Sequence, residues 1–449
     1  MLMRTVSGLR GVVGEDLTPD VLLRHTRAFL KVIGARKVAI GRDSRVTGPA
    51  IDRMVSALCE LSGVDVMELG LATTPTVEMV VQQTDCDGGI IITASHNPAQ
   101  WNALKFLNSD GTFLVQSQVE ELKKIADNDS FSWQPWDKIG KVTVHNGGDD
   151  DHVDAVLALP YVNVDLIRSK KFKVAIDAVN GAGCFIFTKL LKKLGCDVVE
   201  LNVVPDGVFP RGAEPIPESL VGLGETVRKD GCCVGFASDP DSDRCALVSE
   251  KGRPVGEEYT LAIAEDLVLA HSEGDLAVNL STSRLSDDIA KKYGRKALRS
   301  KVGEINVTEV IRANNCVIGG EGNGGVILPA LHCGRDGILA AALVLEWMAE
   351  HDKRGIEDFV ASLPPYVMAK AKVSVEGLDV DAVFAALKKA WPDAQMSELD
   401  GLKLDMPEGW VHVRKSNTEP IVRVMTESAI PGKADELAKR AGDIISSLA

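Results

Sequence analysis

Basic residues are in the minority in this chain. The 449 residues include 50 lysines and arginines against 64 aspartates and glutamates, which gives a formal net charge of −14 at pH 7. A protein with this charge repels the phosphate backbone of nucleic acids and the surface of anionic membranes. We therefore expect neither of these partners, and any phosphorylated ligand must be held by a few local arginines or lysines.

Cysteine patterns typical of disulfides or zinc sites are also missing. The nine cysteines are scattered, odd in number and without a Cys-x-x-Cys pair, which is typical of reduced thiols. The segment Met1–Gly14 lacks the apolar stretch of a signal peptide. No apolar run reaches the ~18 residues of a membrane span, and the run Ile338–Met348 is interrupted by Glu346. These absences predict a cytoplasmic protein.

Length and pattern together predict several domains. A chain of 449 residues exceeds the roughly 250–300 residues that one hydrophobic core can serve. Helix and strand signals alternate through three successive stretches, and a smaller unit of mixed pattern follows Pro364–Pro365. The predicted fold is three doubly wound α/β domains plus a smaller C-terminal α+β domain around one central cleft. We place these domains at residues 1–151, 152–253, 254–366 and 367–449.

Individual helices and strands are predicted as well. Thr18 and Pro19 are typical of the N-cap and first residue of a helix, which should extend to about Ile33. The stretch Asn146–Asp151 is predicted as the exit from the first domain. Further helices are predicted from Gly183 to about Leu194, over Gly337–Glu350 and over Lys433–Leu448. Strands are predicted near Lys37–Asp43, Val64–Leu69, Gly89–Thr93, Phe172–Ala178, Ala246–Glu250, Leu276–Leu280 and Val317–Gly319.

The segment from Gly88 to Pro98 combines a buried strand with a polar loop. Two glycines and three isoleucines are typical of a buried parallel strand, and the Thr-Ala-Ser-His-Asn-Pro that follows cannot continue it. Because ligands collect at the carboxyl ends of strands in open α/β sheets, Ser95 should lie at the edge of a cleft. A serine there can act as a nucleophile or carry a phosphoryl group. An ordinary Asn-Pro turn is the alternative.

Three aspartates, Asp239, Asp241 and Asp243, alternate in a loop after a second apolar strand. Carboxylates this close repel one another unless a cation neutralises them, and hard oxygen ligands suit Mg²⁺ or Ca²⁺. An EF-hand is excluded because Arg244 stands where its sharp turn needs glycine. Three protein ligands leave room for a phosphate oxygen, which suits Mg²⁺. The alternative is a solvated acidic turn.

Two more polar loops carry different chemistry. Glu321, within Gly-Gly-Glu-Gly-Asn-Gly-Gly, offers a carboxylate that could bind sugar hydroxyls, although a glycine-rich turn without a ligand has the same pattern. The segment Arg414-x-Ser416-Asn417-Thr418 offers a guanidinium, hydroxyls and an amide, a set that suits a phosphate dianion or a simple polar turn. The glycine-rich loop around Glu321 is neither a Walker A loop nor a dinucleotide-binding motif. Four polar loops on four predicted domains suggest one composite site.

Together these loops resemble those of the α-D-phosphohexomutases. The similarity spans essentially the whole chain, and its motifs occur in the order of the family: Thr93-Ala-Ser-His-Asn-Pro98, Asp239-x-Asp-x-Asp-Arg244, Gly320-Glu-x-Asn323 and Arg414-x-Ser-Asn-Thr-Glu-Pro420. The segments Ser7–Gly11, Gly41–Arg45 and Pro205–Pro210 are similar to further family segments. In that family four domains surround a deep cleft, and each contributes one loop.

The resemblance implies a role for each candidate residue. Ser95 would be a phosphoserine whose phosphate completes the coordination of Mg²⁺ by the three aspartates. Lys105, Arg10 and Arg244 match cationic residues of the family's cleft, and His96, next to Ser95, is counted with the catalytic candidates. The implied substrate contacts are Glu321 and Asn323 to sugar hydroxyls, and Arg414, Ser416, Asn417 and Thr418 to the phosphate that does not react. The implied substrate is a phosphorylated hexose, with a bisphosphorylated hexose as the intermediate.

The sugar itself is less constrained by the resemblance. Many bacterial relatives have a serine and a histidine where this chain has Asn323 and Gly325, so an acid–base role of that histidine does not transfer. Lys301–Glu304 only partly resembles the second sugar-contacting stretch. The sugar loop, the Glu214–Glu218 segment and the Arg414 loop look most like archaeal-type phosphoglucosamine mutases. The alternative is a phosphomannomutase/phosphoglucomutase, and a metal-dependent phosphatase is a more remote one. A monomer or a homodimer is expected.

Overall fold

The computed structural model describes residues 2–128, 130–352, 354–416 and 420–448. These residues form four β-sheets of seven, four, four and five strands, in chain order, together with fifteen α-helices. Three α/β units are followed by a smaller α+β unit, so the predicted fold class is confirmed. None of the helices in the described ranges is long and apolar enough to cross a lipid bilayer.

The first sheet contains seven strands: β1 (Met3–Thr5), β2 (Gly8–Val12), β3 (Lys37–Arg42), β4 (Asp65–Leu71), β5 (Gly88–Ile92), β6 (Trp101–Asn108) and β7 (Val142–Val144). Its helices are α1 (Pro19–Ile33), α2 (Gly48–Leu61), α3 (Thr74–Gln83) and α4 (Gln116–Asn128). The strand order is β1-β2-β6-β5-β3-β4-β7. The strands β3, β4, β5 and β7 are parallel, whereas β6 runs antiparallel to β5 and to β2, and pairs Lys105 with Ile91. Lys105 is thereby brought near the end of β5.

The first helix lies where Thr18 and Pro19 predicted it, so that prediction is confirmed. Thr18 caps α1 by accepting a hydrogen bond from the backbone of Val21, Pro19 follows as the first helical residue, and Gly34 ends the helix in a left-handed conformation. The antiparallel hairpin of β1 and β2 and the return strand β6 were not anticipated from the sequence. This hairpin carries Arg10, which its register pairs with Ala103 of β6.

The second unit comprises α5 (Gly148–Leu157), α6 (Val164–Lys170), β8 (Lys173–Asp177), α7 (Cys184–Lys193), β9 (Asp197–Leu201), α8 (Val221–Asp230), β10 (Val234–Ser238) and β11 (Cys245–Ser249). Its strand order is β11-β10-β8-β9, with β10 parallel to β8 and antiparallel to β11. The loop that carries the three aspartates therefore joins two neighbouring strands. The helix α5 begins within Asn146–Asp151, so this stretch is partly helical rather than a simple exit from the first domain.

The third unit comprises α9 (Glu258–His271), β12 (Leu276–Asn279), α10 (Leu285–Lys292), β13 (Ala297–Ser300), α11 (Glu304–Asn314), β14 (Ile318–Glu321), β15 (Gly325–Ile327), α12 (Gly337–Glu350) and α13 (Ile356–Ala361). Its strand order is β13-β12-β14-β15, and the antiparallel pair of β14 and β15 aligns Glu321 with Gly325. The apolar helix α12 is buried nearly all round and belongs to one hydrophobic core shared with the second unit. Burial of this helix fixes the two units against each other.

The fourth unit comprises β16 (Val367–Ser374), α14 (Val380–Ala390), β17 (Gln395–Ser397), β18 (Leu402–Met406), β19 (Gly409–Lys415), β20 (Ile421–Ser428) and α15 (Lys433–Ser446). The sheet is antiparallel, in the order β16-β20-β19-β18-β17. One face packs on the helices through alternating valines such as Val422 and Val424. Arg423 and Met425, on the opposite face, line a cavity between the units. Period-2 alternation of this strand thus separates a hydrophobic face from a functional one.

Candidate active site

A cavity of about 440 Å³ lies where segments of all four units meet. Its volume falls in the range of small-molecule sites. Of the residues predicted from the sequence, those that line it are Arg10, Ser95, His96, Lys105, Arg244, Glu321, Asn323 and Arg414. The three aspartates lie buried beneath its floor, next to Ser95. Asn417 and Thr418 lie outside the described residues.

Ser95 lies in the loop that follows β5. Its backbone adopts a left-handed conformation with φ of 47°, and its side chain is only 2% exposed. The backbone N–H of Ser95 donates to Thr93 Oγ1 at 3.0 Å, and Thr93 Oγ1 in turn donates to Asp43 Oδ2 at 2.6 Å. A non-glycine residue in this conformation is held there by its surroundings. The loop therefore presents the serine hydroxyl in one orientation.

A buried ion pair supports this loop from below. The side chains of Asp43 and Arg45 are fully buried and pair at 3.0 Å. The guanidinium of Arg45 donates to four backbone carbonyl oxygens, those of Ser95, Asn97, Pro98 and Trp101, at 2.6–3.0 Å. Such a fork satisfies several acceptors of one loop at once, which a lysine could not do. The sequence signal for these two residues was only the similarity of Gly41–Arg45 to a family segment.

The second loop places three carboxylates beside the serine. Asp239, Asp241 and Asp243 are fully buried, and one oxygen atom from each lies within 4.8 Å of the others. Ser95 Oγ donates to Asp239 Oδ2 at 2.8 Å. Burial raises the pKa of Asp239 well above its ordinary value, and the two neighbouring aspartates add to the effect. The three carboxylates therefore repel one another, which is typical of a cation-binding site whose own lysines and arginines do not balance the negative charge.

The donor set fits a hard divalent cation. Two carboxylate oxygens of the cluster, Asp241 Oδ1 and Asp243 Oδ1, are buried and have no hydrogen-bond partner. Buried oxygens without partners are costly unless they bind something. All three ligand atoms are carboxylate oxygens, which Mg²⁺ prefers over softer metals. Among the described residues, this is the one cluster of acidic, histidine or cysteine side chains with metal-ligand spacing.

Lys105 is a cation of the same cluster. Its buried ammonium donates to Asp241 Oδ2 at 2.6 Å and lies 3.6 Å from Asp243 Oδ2. Thr74, at the start of α3, donates its hydroxyl to the same oxygen of Asp241 at 2.7 Å. Although burial opposes the charge, the two aspartates hold the pKa of Lys105 above its usual value. Lys105 therefore acts as a hydrogen-bond donor and a positive charge within the cluster.

His96 contacts both the serine and an arginine. Its Nδ1 accepts a hydrogen bond from Arg244 Nη2 at 3.1 Å and lies 3.3 Å from Ser95 Oγ. Burial, together with the charges of Arg244 and Arg10, lowers the pKa of His96 to about 2. His96 is therefore neutral at physiological pH. Arg10, on β2, donates to Asn97 Oδ1 at 3.2 Å and so approaches the same loop from the opposite side.

Glu321 lines the cavity on the side of the third unit. Its Oε1 accepts hydrogen bonds from Asn279 Nδ2 at 2.7 Å and from the backbone of Gly303 at 2.8 Å. Asn323 lines the cavity two residues further on, and its Oδ1 accepts from the backbone of Gly325 at 3.3 Å. Two donors thus fix Glu321 Oε1, and Asn323 lines the cavity close to it.

The fourth unit supplies two arginines to the far side of the cavity. Arg414 lines it and pairs through Nε with Asp400 Oδ2 at 2.8 Å. Arg423, which the sequence analysis missed, stands directly opposite Arg414 in the register of β19 and β20 and lines the same cavity. Ser416 is nearly buried, with its backbone N–H bonded to the carbonyl of Ile421, and does not line the cavity. Two adjacent guanidinium groups favour the binding of an anion.

Two further lining residues were not identified from the sequence as site residues. Arg335, directly before the N-cap of α12, contacts Asp243, Glu304 and Glu321. Burial raises the pKa of Glu304 to about 7, although Arg335 opposes the shift. Nothing in the local sequence of Arg335 signals these contacts, because its partners lie up to 92 residues away. Glu304 was noted only as part of a segment with partial family resemblance.

Comparison with known proteins covers the whole chain. Three domain models of one family, described as "Phosphoglucomutase/phosphomannomutase, alpha/beta/alpha domain" I, II and III, match residues 2–133, 150–252 and 255–366. The model of the C-terminal domain of the same family matches residues 368–443. A "Probable phosphoglucosamine mutase" of Methanopyrus kandleri is 35% identical, with 98% of this chain and 96% of that protein covered. A "Phosphoglucomutase/phosphomannomutase" of Thermococcus kodakarensis is 37% identical, with 96% and 95% covered.

Solved structures share the fold. A phosphoglucomutase/phosphomannomutase family protein from Burkholderia thailandensis superposes with a TM-score of 0.85 at 24% identity, covering 99% of this chain and 98% of the other. Parafusin, a phosphoglucomutase from Paramecium, gives a TM-score of 0.82 at 17% identity, covering 99% and 95%. At these identities the similarity concerns the arrangement of the four units.

Proposed function

Because the chain belongs to the phosphoglucomutase/phosphomannomutase family and is a phosphohexomutase, we propose that it interconverts glucosamine 6-phosphate and glucosamine 1-phosphate through a phosphorylated Ser95. The observation that carries this proposal is the position of the serine. Ser95 Oγ lies at the floor of the cavity, 2.8 Å from Asp239 of the carboxylate cluster, while the two arginines of the fourth unit line the same cavity. One cavity thus offers a phosphoryl-transfer group and a separate anion site.

In the proposed reaction, the phosphoryl group of Ser95 passes to the free hydroxyl of the bound sugar phosphate. The bisphosphorylated hexose then reorients, and Ser95 takes back the other phosphoryl group, so the net reaction moves phosphate between the two ends of the sugar. Mg²⁺ held by Asp239, Asp241, Asp243 and the Ser95 phosphate would withdraw charge from the transferring group. The chain's own residues supply position and electrostatics for this transfer.

The cationic side chains have separable tasks in this proposal. Arg10 and Lys105 line the cavity next to Ser95, where they stabilise the negative charge on the phosphoryl oxygens. Arg244 donates to His96, and neutral His96 contacts Ser95 Oγ. We therefore infer that His96 orients the serine side chain rather than acting as a protonated acid. The binding site for the phosphate that does not react is formed by Arg414 and Arg423.

The preference for an amino sugar is supported by the relatives and by the wall of the cavity. Several relatives at 31–35% identity over nearly the whole chain bear the name "Probable phosphoglucosamine mutase". Four glutamates line the cavity on the side of the third unit: Glu257, Glu258, Glu304 and Glu321. Carboxyl groups accept hydrogen bonds from an ammonium group more strongly than from a hydroxyl. Glu304 and Glu321 are paired with Arg335, so we infer that Glu257 and Glu258 are the glutamates that receive the ammonium group of an amino sugar.

The test of the proposal is a coupled assay of glucosamine 6-phosphate, mannose 6-phosphate and glucose 1-phosphate side by side. We expect the highest kcat/KM with glucosamine 6-phosphate, by about 10–200-fold, the range that a few contacts to one substituent produce. A higher value with either neutral sugar would replace the proposal with a phosphomannomutase/phosphoglucomutase. Release of inorganic phosphate in place of the isomer would identify a phosphatase.

Replacement of Arg414 by alanine should weaken both directions of the reaction. The substrate binds twice, once with each phosphate toward Ser95, and in both poses the opposite phosphate rests on the same anchor. Loss of one charge-assisted hydrogen bond costs roughly 1.5–3 kcal/mol, which is ~10–150-fold in affinity. We expect kcat/KM to fall by this factor for the sugar 6-phosphate and for the sugar 1-phosphate alike.

Lys415→Ala is the matched control, because Lys415 is an exposed neighbour that lies outside the cavity lining. It should leave kcat/KM unchanged in both directions. If Arg414→Ala lowered one direction and left the other at the wild-type value, the shared anchor would be wrong, and the fourth unit would recognise only one of the two poses.

A further inference from the structure

Arg335 joins parts of the site that belong to different units. Its Nη2 donates to Asp243 Oδ2 at 2.6 Å, and its Nε donates to Glu304 Oε2 at 2.9 Å. Its Nη1 lies 3.2 Å from Glu321 Oε2. The side chain is 90% buried and lines the cavity. One guanidinium group therefore contacts a carboxylate of the metal-binding cluster and the carboxylate that faces the sugar.

The backbone of Arg335 is held in place by its neighbour Asp336 and by helix α12. The next residue, Asp336, caps α12 by accepting hydrogen bonds from the backbone N–H groups of Ile338 and Leu339 at 2.8 and 3.0 Å. The other oxygen of Asp336 contacts His152 Nε2 at 2.8 Å. Because α12 is buried between the second and third units, the backbone of Arg335 cannot shift without moving that helix. The guanidinium is thus presented from a rigid element.

Gly325 provides the space for this side chain. A Cβ atom at Gly325 would lie 2.3 Å from Arg335 Cδ and 2.9 Å from Cγ, closer than non-bonded atoms approach. Gly325 is not among the glycines with positive φ, so its backbone conformation is open to other residues. The aliphatic stem of Arg335 therefore occupies the volume that a side chain at position 325 would fill.

We propose that Arg335 is a positioning residue that holds Asp243 and Glu321 in register, and that position 325 is a glycine in order to admit it. The planar guanidinium presents several donors in a fixed geometry, so it binds carboxylates on different sides at the same time. Arg335 holds Oδ2 of Asp243, which leaves Oδ1 without a hydrogen-bond partner for the metal ion, and it holds Glu321 at the cavity wall for the sugar. This inference rests on the proposed function, which identifies the ligand at Asp243 as a metal ion and the ligand at Glu321 as a sugar phosphate.

The first test is Arg335→Lys, which keeps the positive charge and removes the fork. We expect the dissociation constant for Mn²⁺, measured by calorimetry on the protein without sugar, to rise about tenfold, the effect of one lost charge-assisted hydrogen bond. The KM for glucosamine 6-phosphate should rise by a similar factor. The control is Arg253→Lys, whose guanidinium donates two hydrogen bonds to a single carboxylate, that of Glu357, and does not line the cavity. It should change neither constant.

A structural role alone would predict a different result. If Arg335→Lys lowered the melting temperature and left the Mn²⁺ affinity and the KM at their wild-type values, the proposal would be overturned. A change in only one of the two constants would also overturn it, because a shared positioning residue must affect both. Mn²⁺ binding is measured without turnover. If the wild-type protein proved inactive as a mutase, the proposed function would be refuted, but the effect of Arg335→Lys on Mn²⁺ binding would still test the role of Arg335.

Gly325→Ala is the second test, because it displaces Arg335 without removing it. We expect the same increase in the Mn²⁺ dissociation constant and in KM as with Arg335→Lys. The double variant should be no worse than either single variant, since both act through one side chain. Gly222→Ala is the control, because a Cβ there meets open space. Defects that multiply in the double variant would show that the two positions act independently, contrary to the proposal.

Discussion

Ser95→Ala is expected to abolish mutase turnover while the protein still folds and binds the sugar phosphate. The variant loses the oxygen that carries the phosphoryl group in the proposed reaction, and no alternative hydroxyl occupies the same position. Removing a covalent nucleophile lowers turnover by on the order of 10⁴-fold or more. We expect kcat/KM to fall by at least this factor in both directions.

The fold should survive this substitution for a structural reason. The left-handed backbone at residue 95 is maintained by hydrogen bonds from Arg45 and to Thr93 that involve only main-chain atoms of Ser95. Alanine retains those main-chain atoms and has the same preference against this conformation as serine. The interaction lost is the hydrogen bond from Ser95 Oγ to Asp239, whose net contribution is about 1 kcal/mol.

The measurements are intact-mass and peptide mass spectrometry together with the coupled assay. The purified wild-type protein should carry one added phosphate on the peptide that contains Ser95, and the alanine variant should carry none. Ser44→Ala is a suitable control, because Ser44 is a buried hydroxyl of a neighbouring loop that donates to the carbonyl of Asn180. A phosphate on another residue, with Ser95→Ala fully active, would contradict the mechanism.

The serine and the aspartates were predicted from short segments of the sequence, because the pattern that marks each of them lies within its own loop and the preceding strand. A β-branched run that breaks into a polar loop marks a strand end, and parallel strand ends meet at one edge of a sheet. Carboxylates at alternate positions of a short loop face one another without help from distant residues. The same reasoning predicted helix α1 from Thr18 and Pro19, which the structure confirms. The strand-to-loop breaks and helix α1 were therefore predictable from their own segments, whereas the short hairpin of β1 and β2, which carries no such pattern, was not.

Residues that act through distant partners were not predictable in this way. Arg335 lies 92 residues from Asp243, and Arg45 lies 50 residues from Ser95. An arginine in a loop has no sequence feature that distinguishes a buried fork from an exposed surface charge. Arg423 joins Arg414 only through the register of a hairpin, which depends on pairing across strands. Such contacts arise from tertiary packing, which a single sequence does not reveal.

Asp241→Asn is expected to lower kcat about 10³-fold or more and to remove the dependence of activity on Mg²⁺. The substitution replaces a buried anionic ligand by a neutral amide in the carboxylate cluster that fits a divalent ion. Loss of metal-assisted charge stabilisation costs several kcal/mol in the transition state, and each ~1.4 kcal/mol is a factor of ten. Excess EDTA should have the same effect on the wild-type protein, and added Mg²⁺ should restore its activity.

Stability must be separated from chemistry in this experiment. Asp241 also pairs with the buried ammonium of Lys105 at 2.6 Å, so the substitution weakens a buried ion pair and lowers the melting temperature. Asp177→Asn is a control of the same kind, because Asp177 is a buried carboxylate at the end of β8 that pairs with Arg211 at 3.1 Å. Both variants should lose thermal stability, but only Asp241→Asn should lose metal-dependent turnover.

Chelation of the wild-type protein provides the complementary result, loss of activity without loss of fold. The aspartate loop joins two formed strands, β10 and β11, and two of its three carboxylates, those of Asp241 and Asp243, are paired with Lys105 and Arg335 at 2.6 Å each. The loop therefore keeps its conformation when the ion is removed, and EDTA should change the melting temperature little. Undiminished turnover in excess EDTA, or equal loss of turnover in Asp177→Asn, would rule out the aspartate cluster as the metal site of the reaction. Activity lost with EDTA and recovered with Mg²⁺, at a nearly constant melting temperature, is the outcome that this geometry requires.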